Sequence, residues 1–255
     1  MPGSKDEIRE YVVTRAAEAN GHGFFRRPLV GFASAADPLF EEIPRLTWDQ
    51  HLLPRDILPE AATVVSFFIP FSRELVRGNQ GPGPVSADWG RAYVATNAFI
   101  NRLCGEFIQK AEASGHRAAT VPATHGFDKA ILKAAWSHRS SALVAGLGRF
   151  GLNRMLMGPS GCAGRYGTLF ISRQQEPDPR PMEDLCLYFQ SGKCQACVKV
   201  CPAGALSPEG FDRFKCYAHV SEIHKELNQI PDLAGQSLEI CGKCVVSCPR
   251  AIIEP

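Results

Sequence analysis

The sequence contains no hydrophobic run that could cross a lipid bilayer. Its longest apolar stretch, residues 61–71, is interrupted by Thr63, Ser66 and Pro70 and has about half the length that a membrane-spanning helix needs. The N-terminal residues also lack the apolar core of a secretion signal. We therefore expect a cytoplasmic protein with no membrane association.

The chain also lacks an excess of charge of either sign. Its 28 Lys and Arg residues are nearly balanced by 26 Asp and Glu residues, so that the formal net charge is +2. Because proteins that bind many phosphate groups carry strong positive charge, the composition does not indicate a nucleic-acid-binding protein. The length of 255 residues and the hydrophobic fraction of 45% are sufficient for one or two domains with a buried core.

Cysteine is scarce in the first 185 residues, which contain only Cys104 and Cys162. The other eight cysteines fall in the last 70 residues: Cys186, Cys194, Cys197, Cys201, Cys216, Cys241, Cys244 and Cys248. In a reducing compartment, clustered cysteines bind metal more often than they form disulfides. This distribution predicts a metal-binding module at the C-terminal end of the chain.

The preceding residues alternate between helical and strand patterns. Helices are predicted at 6–20, 88–114 and 128–137, strands at 28–33, 62–69 and 118–122, and an irregular connection at 37–59. This alternation predicts an α/β (α+β) N-terminal domain over residues 1–180, which would hold a cofactor or substrate. Residues 181–255 are predicted to form a second domain.

Within the second domain a cysteine pattern occurs twice. Cys194-x2-Cys197-x3-Cys201-Pro202 recurs as Cys241-x2-Cys244-x3-Cys248-Pro249. In two-cluster ferredoxins such a run supplies ligands to one [4Fe-4S] cluster, and its cysteine before proline binds the other cluster. The two copies supply six thiolates, and Cys186 and Cys216 complete a set of eight.

We therefore expect a bacterial-ferredoxin-like domain with two [4Fe-4S] clusters. If each cysteine before proline binds the cluster of the other copy, Cys186, Cys194, Cys197 and Cys248 hold one cluster. Cys201, Cys216, Cys241 and Cys244 then hold the other, and we call this the crossed ligand assignment. A four-thiolate zinc site is the alternative, but it would use only four of the eight cysteines. Basic residues interleave with the ligands, namely Lys193, Lys199, Lys215, Lys243 and Arg250. They either raise the reduction potentials of the clusters or serve only as solubilising charges.

A glycine-rich segment precedes the cysteine module. Gly146, Gly148 and Gly151 match the spacing of a dinucleotide-binding loop, but a complete β-α-β unit is missing around them. His138, just before this segment, is either a proton donor or cofactor contact or a histidine satisfied at a helix end. Cys104 is predicted to lie in the core, and Cys162 is either close to a cofactor or a loop thiol without a role.

Several segments resemble epoxyqueuosine reductases. These are residues 144–153, residues 211–217 between the motifs, and the two Cys-Pro copies. The resemblance is clear over roughly residues 90–255 and implies two [4Fe-4S] clusters that deliver electrons to a cobalamin on the α/β domain, as in the related reductive dehalogenases. It implies that the loop with Gly146, Gly148 and Gly151 lines the corrinoid, which His138 would contact if it is not satisfied at its helix end. We expect a ferredoxin or flavodoxin type protein to donate the electrons.

The sequence also departs from that family. It lacks the C-terminal helical repeats that help to hold tRNA, and since it has no basic excess, we expect tRNA to be an unlikely substrate. It has no clear counterpart of the acidic proton donor of the family. Two hypotheses therefore stay open: an oxidoreductase that acts on a cofactor or small substrate, and a ferredoxin-type carrier that supplies a separate enzyme.

Overall fold

The structure is a computed structural model that describes residues 3–123 and 127–254. It divides into two compact units, each built from several segments of the chain. Unit 1 comprises residues 1–69, 97–148 and 166–182, and unit 2 comprises residues 70–96, 149–165 and 183–255. The division thus differs from a single boundary near residue 180, because two earlier segments fall in the unit that carries the eight clustered cysteines.

The helices and strands alternate through most of the chain. The helices are α1 (Lys5–Ala19), α2 (Pro38–Leu46), α3 (Pro54–Ile57), α4 (Arg73–Gly78), α5 (Ala87–Ala113), α6 (His138–Val144), α7 (Leu187–Ser191), α8 (Ala196–Lys199), α9 (Arg213–Leu227) and α10 (Lys243–Val246), with a 3₁₀ turn at Pro231–Leu233. The strands are β1 (Leu29–Ser34), β2 (Thr63–Pro70), β3 (Ala118–Thr120), β4 (Arg149–Phe150), β5 (Leu156–Met157) and β6 (Gly164–Ile171). None of the helices in the described ranges is long and apolar enough to span a membrane.

The main sheet has four strands in the order β1-β2-β6-β3. β1 pairs antiparallel with β2, and β3 pairs antiparallel with β6. The N–H of Ala62 donates to the carbonyl of Ile171 and that of Phe71 to the carbonyl of Ala163, so β2 and β6 also run antiparallel. The mixed α/β class is confirmed, and its sheet is of the antiparallel, α+β type.

Unit 1 has a hydrophobic core on each face of this sheet. On one face α1 and α5 contribute Ile8 and Phe107 to a cluster that includes Phe67 of β2. On the other face Trp136 and Phe40 pack with Val64 of β2. Every residue of β2 is buried, which explains why the continuous β-branched and aromatic run predicts this strand correctly.

Two predictions about local structure are wrong. The stretch 37–59 is not an irregular connection, because Asp37 caps α2 through the N–H of Leu39 and Pro38 occupies the first turn. Residues 128–137 form turns rather than a helix, since the carboxylate of Asp128 accepts the N–H of Ala130 and closes a local turn.

Candidate metal centre

The eight clustered cysteines all belong to unit 2, and none of them forms a disulfide. Three of them lie in, or directly before, very short helices. Cys186 is the residue before α7, Cys197 lies within α8, and Cys244 lies within α10, whereas Cys216 lies in the first turn of the longer α9. Short helices joined by loops let sulfur atoms approach a common point from several directions, as the chemistry of a cluster requires.

The two copies of the cysteine pattern share backbone hydrogen bonds. In the first copy the N–H of Cys201 donates to the carbonyl of Val198, and in the second the N–H of Cys248 donates to the carbonyl of Val245. The helices α8 and α10, which belong to these copies, pack against each other. The repeat in the sequence is therefore a repeat in the structure.

Electrostatic interactions connect Cys186, Cys197 and Cys248. Burial first, and then the negative charges of Cys248 and Cys186, raise the pKa of Cys197 to about 11. The pKa of Cys248 is instead lowered to about 7, chiefly by a hydrogen bond from Cys162 and also by the N–H and the positive charge of Arg250. These three cysteines belong to the first predicted ligand set.

A second group connects Cys201, Cys216, Cys241 and Cys244. Burial raises the pKa of Cys244, and the charges of Cys241, Cys201, Cys216 and then Cys197 add to the effect. The pKa of Cys241 is raised by burial first and by the charge of Cys201, against a hydrogen bond from the N–H of Lys243. These four residues are the second predicted ligand set.

Backbone N–H groups point at several of the sulfur atoms. The N–H of Leu152 lies 3.5 Å from the Sγ of Cys186, that of Ala205 lies 3.3 Å from the Sγ of Cys201, and that of Arg250 lies 3.4 Å from the Sγ of Cys248. Such donors stabilise a thiolate over a thiol. The surroundings of these sulfurs thus suit metal-bound thiolates.

Sequence reasoning did not establish the positions of Cys162 and Lys243. Cys162 is completely buried, and its sulfur accepts a hydrogen bond from the side-chain amide of Asn153 at 3.6 Å. Lys243, between Cys241 and Cys244, is only 6% exposed. The one sequence signal for Lys243 is its position inside a Cys-x2-Cys turn, and no signal links Cys162 to Cys248.

Within the residues that the structure describes, no three His, Cys, Asp or Glu side chains are arranged so that they could hold a single metal ion.

Cys104, the remaining cysteine, lies in the core of unit 1 with 1% exposure, as predicted. Burial raises the pKa of its thiol to about 12, so it behaves as a small apolar residue.

The glycines of the predicted cofactor loop are accounted for by contacts within the chain. Gly146 has φ of +80°, and a Cβ there would lie 2.6 Å from the carbonyl oxygen of Pro179. At Gly151 a Cβ would meet the side chain of Met157. Gly148 follows in the same loop with φ of +153°. A side chain at Gly146 or Gly151 would therefore meet other parts of the chain.

His138 begins α6 and is buried in unit 1. Its Nε2 lies 3.2 Å from the carbonyl oxygen of Pro122, and its Nδ1 lies 2.9 Å from the hydroxyl of Thr168. Since a carbonyl only accepts, Nε2 carries the proton and Nδ1 faces the hydroxyl. Both ring nitrogens thus have structural partners.

The fold is shared with two kinds of reductase. The chain matches an epoxyqueuosine reductase from Streptococcus thermophilus with a TM-score of 0.55 and 17% identity, covering 96% of this chain and 67% of that one. It matches a reductive dehalogenase, described with a mechanism for B12-dependent dehalogenation, with a TM-score of 0.60 and 18% identity, covering 98% of this chain and 32% of that one. At these identities the likeness shows the fold alone.

Curated relatives narrow the resemblance to one of these two kinds. The chain is 25% identical over 246 residues to epoxyqueuosine reductase from Bacillus cereus, which covers 87% of this chain and 60% of the relative. It is 34% identical over 119 residues to epoxyqueuosine reductase from Francisella cf. novicida, covering 44% of this chain and 31% of the relative. The similarity to epoxyqueuosine reductases that the motifs indicate is therefore confirmed.

Two further findings limit this similarity. The chain spans about 60% of the length of the Bacillus cereus relative, and no protein-family model matches it. Another similar structure, with a TM-score of 0.54 and 19% identity, is an epoxyqueuosine reductase with an epoxyqueuosine-modified tRNA stem loop. The prediction that tRNA is an unlikely substrate therefore gains no support from the comparisons.

Proposed function

We propose that the chain is an iron-sulfur redox protein in which eight cysteines hold two [4Fe-4S] clusters. Each cluster, when bound, accepts and donates one electron at a time. The electrons pass to a cofactor or small substrate held by the N-terminal residues 1–180. The observation that carries this proposal is the doubled cysteine motif, whose helices α8 and α10 pack against each other.

Electrostatic interactions between cysteines of the two motif copies support the crossed ligand assignment. Cys248, from the second copy of the motif, interacts with Cys197 of the first copy. Cys201, from the first copy, interacts with Cys241 and Cys244 of the second copy. Such an exchange of the cysteine before proline is typical of two-cluster ferredoxins, and residues 183–255 then act as a ferredoxin-like domain.

The donor set fits a pair of clusters better than a zinc ion. Four thiolates of a cubane bind four different iron atoms and therefore lie farther apart than the ligands of one tetrahedral ion. The N–H donors to Cys186, Cys201 and Cys248 would stabilise the thiolates that the clusters need.

Metal and sulfide analysis of anaerobically isolated protein tests this proposal. We expect about eight iron and eight sulfide per chain, with the broad visible absorption of [4Fe-4S] clusters. Zinc without acid-labile sulfide would contradict the proposal, because it would leave a structural thiolate site. About four iron per chain would contradict the second cluster.

A corrinoid acceptor is a further part of the proposal. It is supported by the fold shared with a reductive dehalogenase whose structure is described with a mechanism for B12-dependent dehalogenation, and the loop with Gly146, Gly148 and Gly151 stays the predicted place for the corrinoid. We assign no step to a corrinoid. Titration of the iron-loaded protein with cobalamin would show a base-off absorption spectrum if the corrinoid binds, and no spectral change at saturation would favour a different acceptor.

The second candidate is a ferredoxin-type carrier that supplies a separate enzyme. In both cases a redox donor protein of the ferredoxin or flavodoxin type would reduce the clusters. The substantial core of unit 1, on both faces of its sheet, favours an additional role for that unit. An iron-loaded protein that transfers electrons to other proteins but binds neither a corrinoid nor a small-molecule acceptor would support the carrier.

A further inference from the structure

Large apolar side chains are exposed in one short stretch of unit 2. Among the residues with described positions, seven such side chains are exposed, and three of them are Val200, Phe211 and Phe214. Their exposed fractions are 41%, 39% and 56%. Single exposed apolar residues are ordinary on a protein surface, whereas a group of them marks an interaction site.

Backbone contacts bring these three residues into one loop. The N–H of Ala205 donates to the Sγ of Cys201 at 3.3 Å, and the N–H of Asp212 donates to the carbonyl of Ala205 at 2.8 Å. Leu206 and Phe211 form an antiparallel bridge between these contacts. The chain thus folds back on itself, and its exposed apolar side chains share one short loop.

The helix α9, which follows this loop, does not bury Phe214. The buried residues of α9 are Val220, Ile223 and Leu227, which follow the three- and four-residue spacing of one helical face. Phe214 lies six positions before Val220 and is therefore not on that face. The helix can pack its apolar face into unit 2 while Phe214 stays at the surface.

Positive charge borders the apolar side chains. Lys199 and Lys215 are exposed, and Arg213 adds a third cation. The same stretch has two carboxylates, of which that of Asp212 accepts the N–H groups of Phe214 and Lys215 at 3.0 Å. The apolar and basic side chains together form a surface that we call the basic-apolar patch: Lys199, Val200, Phe211, Phe214 and Lys215.

The loop of this patch begins and ends at proposed cluster ligands. Cys201 and Cys216 flank it, and in the crossed ligand assignment both hold the same cluster. The N–H of Cys216 donates to the carbonyl of Asp212 at 3.2 Å, so Phe214 lies in the same helical turn as a ligand. Because electron transfer weakens steeply with distance, a protein bound at the patch would be well placed to reduce this cluster.

We propose that the basic-apolar patch is the docking surface for a small acidic carrier protein that delivers one electron at a time. This inference rests on the proposed function. The carrier gives up one electron and is oxidised, and the cluster held by Cys201 and Cys216 takes up that electron and is reduced, while no bond forms or breaks. The phenylalanines supply apolar contact. The lysines attract the acidic surface of the carrier, which the negative charge of the cluster alone would repel.

The test measures electron transfer to anaerobically reconstituted full-length protein by stopped-flow absorption. The probes are two acidic carriers, a reduced plant-type [2Fe-2S] ferredoxin and a reduced flavodoxin. With at least one of them, Phe214→Ala should lower the second-order rate constant about tenfold, because truncation of an apolar anchor weakens docking. Lys215→Glu should lower it by a similar factor at 0.15 M salt and by much less at 1 M salt, where charges are screened within about 3 Å.

Matched controls separate docking from damage to the cluster. Lys225→Glu makes the same charge change at an exposed residue about 15 Å further along α9. Since this distance exceeds the Debye length of about 8 Å at 0.15 M salt, the rate constant should change far less. Leu46→Ala removes an exposed apolar side chain from unit 1 and should have no effect. A europium(II) chelate, which needs no docking surface, should reduce all variants at the same rate.

Iron and sulfide analysis accompanies every measurement. If Phe214→Ala or Lys215→Glu loses iron, Val200→Ser and Lys199→Glu take their places, because they change the same patch outside the first turn of α9. Rate constants equal to that of the unsubstituted protein in fully loaded patch variants would overturn the inference. Failure of both carriers to reduce a fully loaded protein would do so as well.

Other occupants of the patch give different results. A dimer of the unsubstituted protein that dissociates in Phe214→Ala would assign the patch to a second copy of the chain. Binding of an RNA stem loop that is lost in Lys215→Glu would assign it to a nucleic acid. Either result, with unchanged transfer from both carriers, would overturn the inference. An unsubstituted protein without iron and sulfide would instead remove the proposed function itself, and metal analysis distinguishes that result from the others.

Discussion

The ammonium group of Lys243 donates to the backbone carbonyl of Asn79 at 3.1 Å, and the side-chain amide of Asn79 donates to the carbonyl of Cys241 at 3.0 Å. Lys243 also donates to the carbonyl of Pro84, 3.1 Å away. The loop that follows α4, residues 79–86, is thus fastened at both ends to the second cysteine motif. Glycine and proline composition alone does not reveal this anchor, which a buried lysine supplies.

We expect Lys243→Met to loosen this loop while unit 2 stays folded. The substitution keeps an unbranched side chain but removes two hydrogen bonds from a buried cation, at a cost of about 1–3 kcal/mol in the free energy of unfolding. Hydrogen exchange of the amides at residues 80–86 should become faster. The matched control is Lys199→Met, because Lys199 is exposed in the first motif; equal exchange in the two variants would contradict the anchoring role.

Substitution by serine should lower the iron content at the ligand cysteines but not at the core cysteine. Cys197→Ser or Cys244→Ser should reduce the iron content by about four per chain and lower the thermal stability of unit 2, since cluster binding is coupled to folding there. Cys104→Ser should keep about eight iron per chain, although burying a hydroxyl in the unit 1 core lowers its stability. Iron and sulfide analysis beside thermal unfolding measures both effects. A fully loaded and equally stable Cys197→Ser variant would remove Cys197 from the ligand set.

The sequence predicts those parts of the molecule that depend on local patterns. The β-branched run of β2 and the three- and four-residue spacing in α5 need no knowledge of distant residues. Counting cysteines and repeats likewise yields eight candidate ligands, and their crossed grouping follows from known ferredoxin chemistry. The helix predicted at residues 128–137 shows where such patterns fail. The carboxylate of Asp128 accepts N–H groups that a helix would need.

Long-range contacts could not be predicted in this way. The pairing of residues 161–163 with residues 251–252 depends on backbone hydrogen bonds between segments that are far apart in the chain. The burial of Lys243 depends on the path of residues 79–86, and the assignment of residues 70–96 and 149–165 to unit 2 depends on the same kind of contact. A single sequence contains no periodicity that reports such pairings.

Gly161 should tolerate no side chain. Its φ of +90° disfavours any L-residue, and a Cβ there would overlap the carbonyl group of Ala251, whose oxygen accepts the N–H groups of Cys162 and Ala163. We expect Gly161→Ala to lower the free energy of unfolding by at least about 2 kcal/mol. Thermal or denaturant unfolding of the iron-loaded protein measures the change.

The control for that variant is Gly105→Ala in α5, where the Cβ meets no atom within 4 Å. In a helix interior, alanine is about 1 kcal/mol more favourable than glycine, so this variant should be slightly more stable than the unsubstituted protein. If Gly161→Ala were as stable as Gly105→Ala, the segment 161–163 would not be fixed against residues 251–252.

His51 should make the stability of unit 1 depend on pH. Its Nδ1 donates to the carbonyl of Leu52 at 2.8 Å, and its Nε2 accepts the N–H of Ser137 at 3.0 Å, so the folded protein needs the neutral ring. Burial lowers the pKa of His51 below its ordinary value of 6.5. Below that pH the unfolded chain binds a proton that the folded chain resists, and stability therefore falls as the pH decreases from about 6.5 toward the lowered pKa.

Replacing His51 by Gln keeps an acceptor for the N–H of Ser137 but removes the titration. The unfolding temperature of His51→Gln should thus fall less between pH 7 and pH 5.5 than that of the unsubstituted protein, while His22→Gln, at an exposed position, should leave the pH dependence unchanged. Identical pH profiles for His51→Gln and the unsubstituted protein would mean that the ring of His51 is not held neutral by the fold.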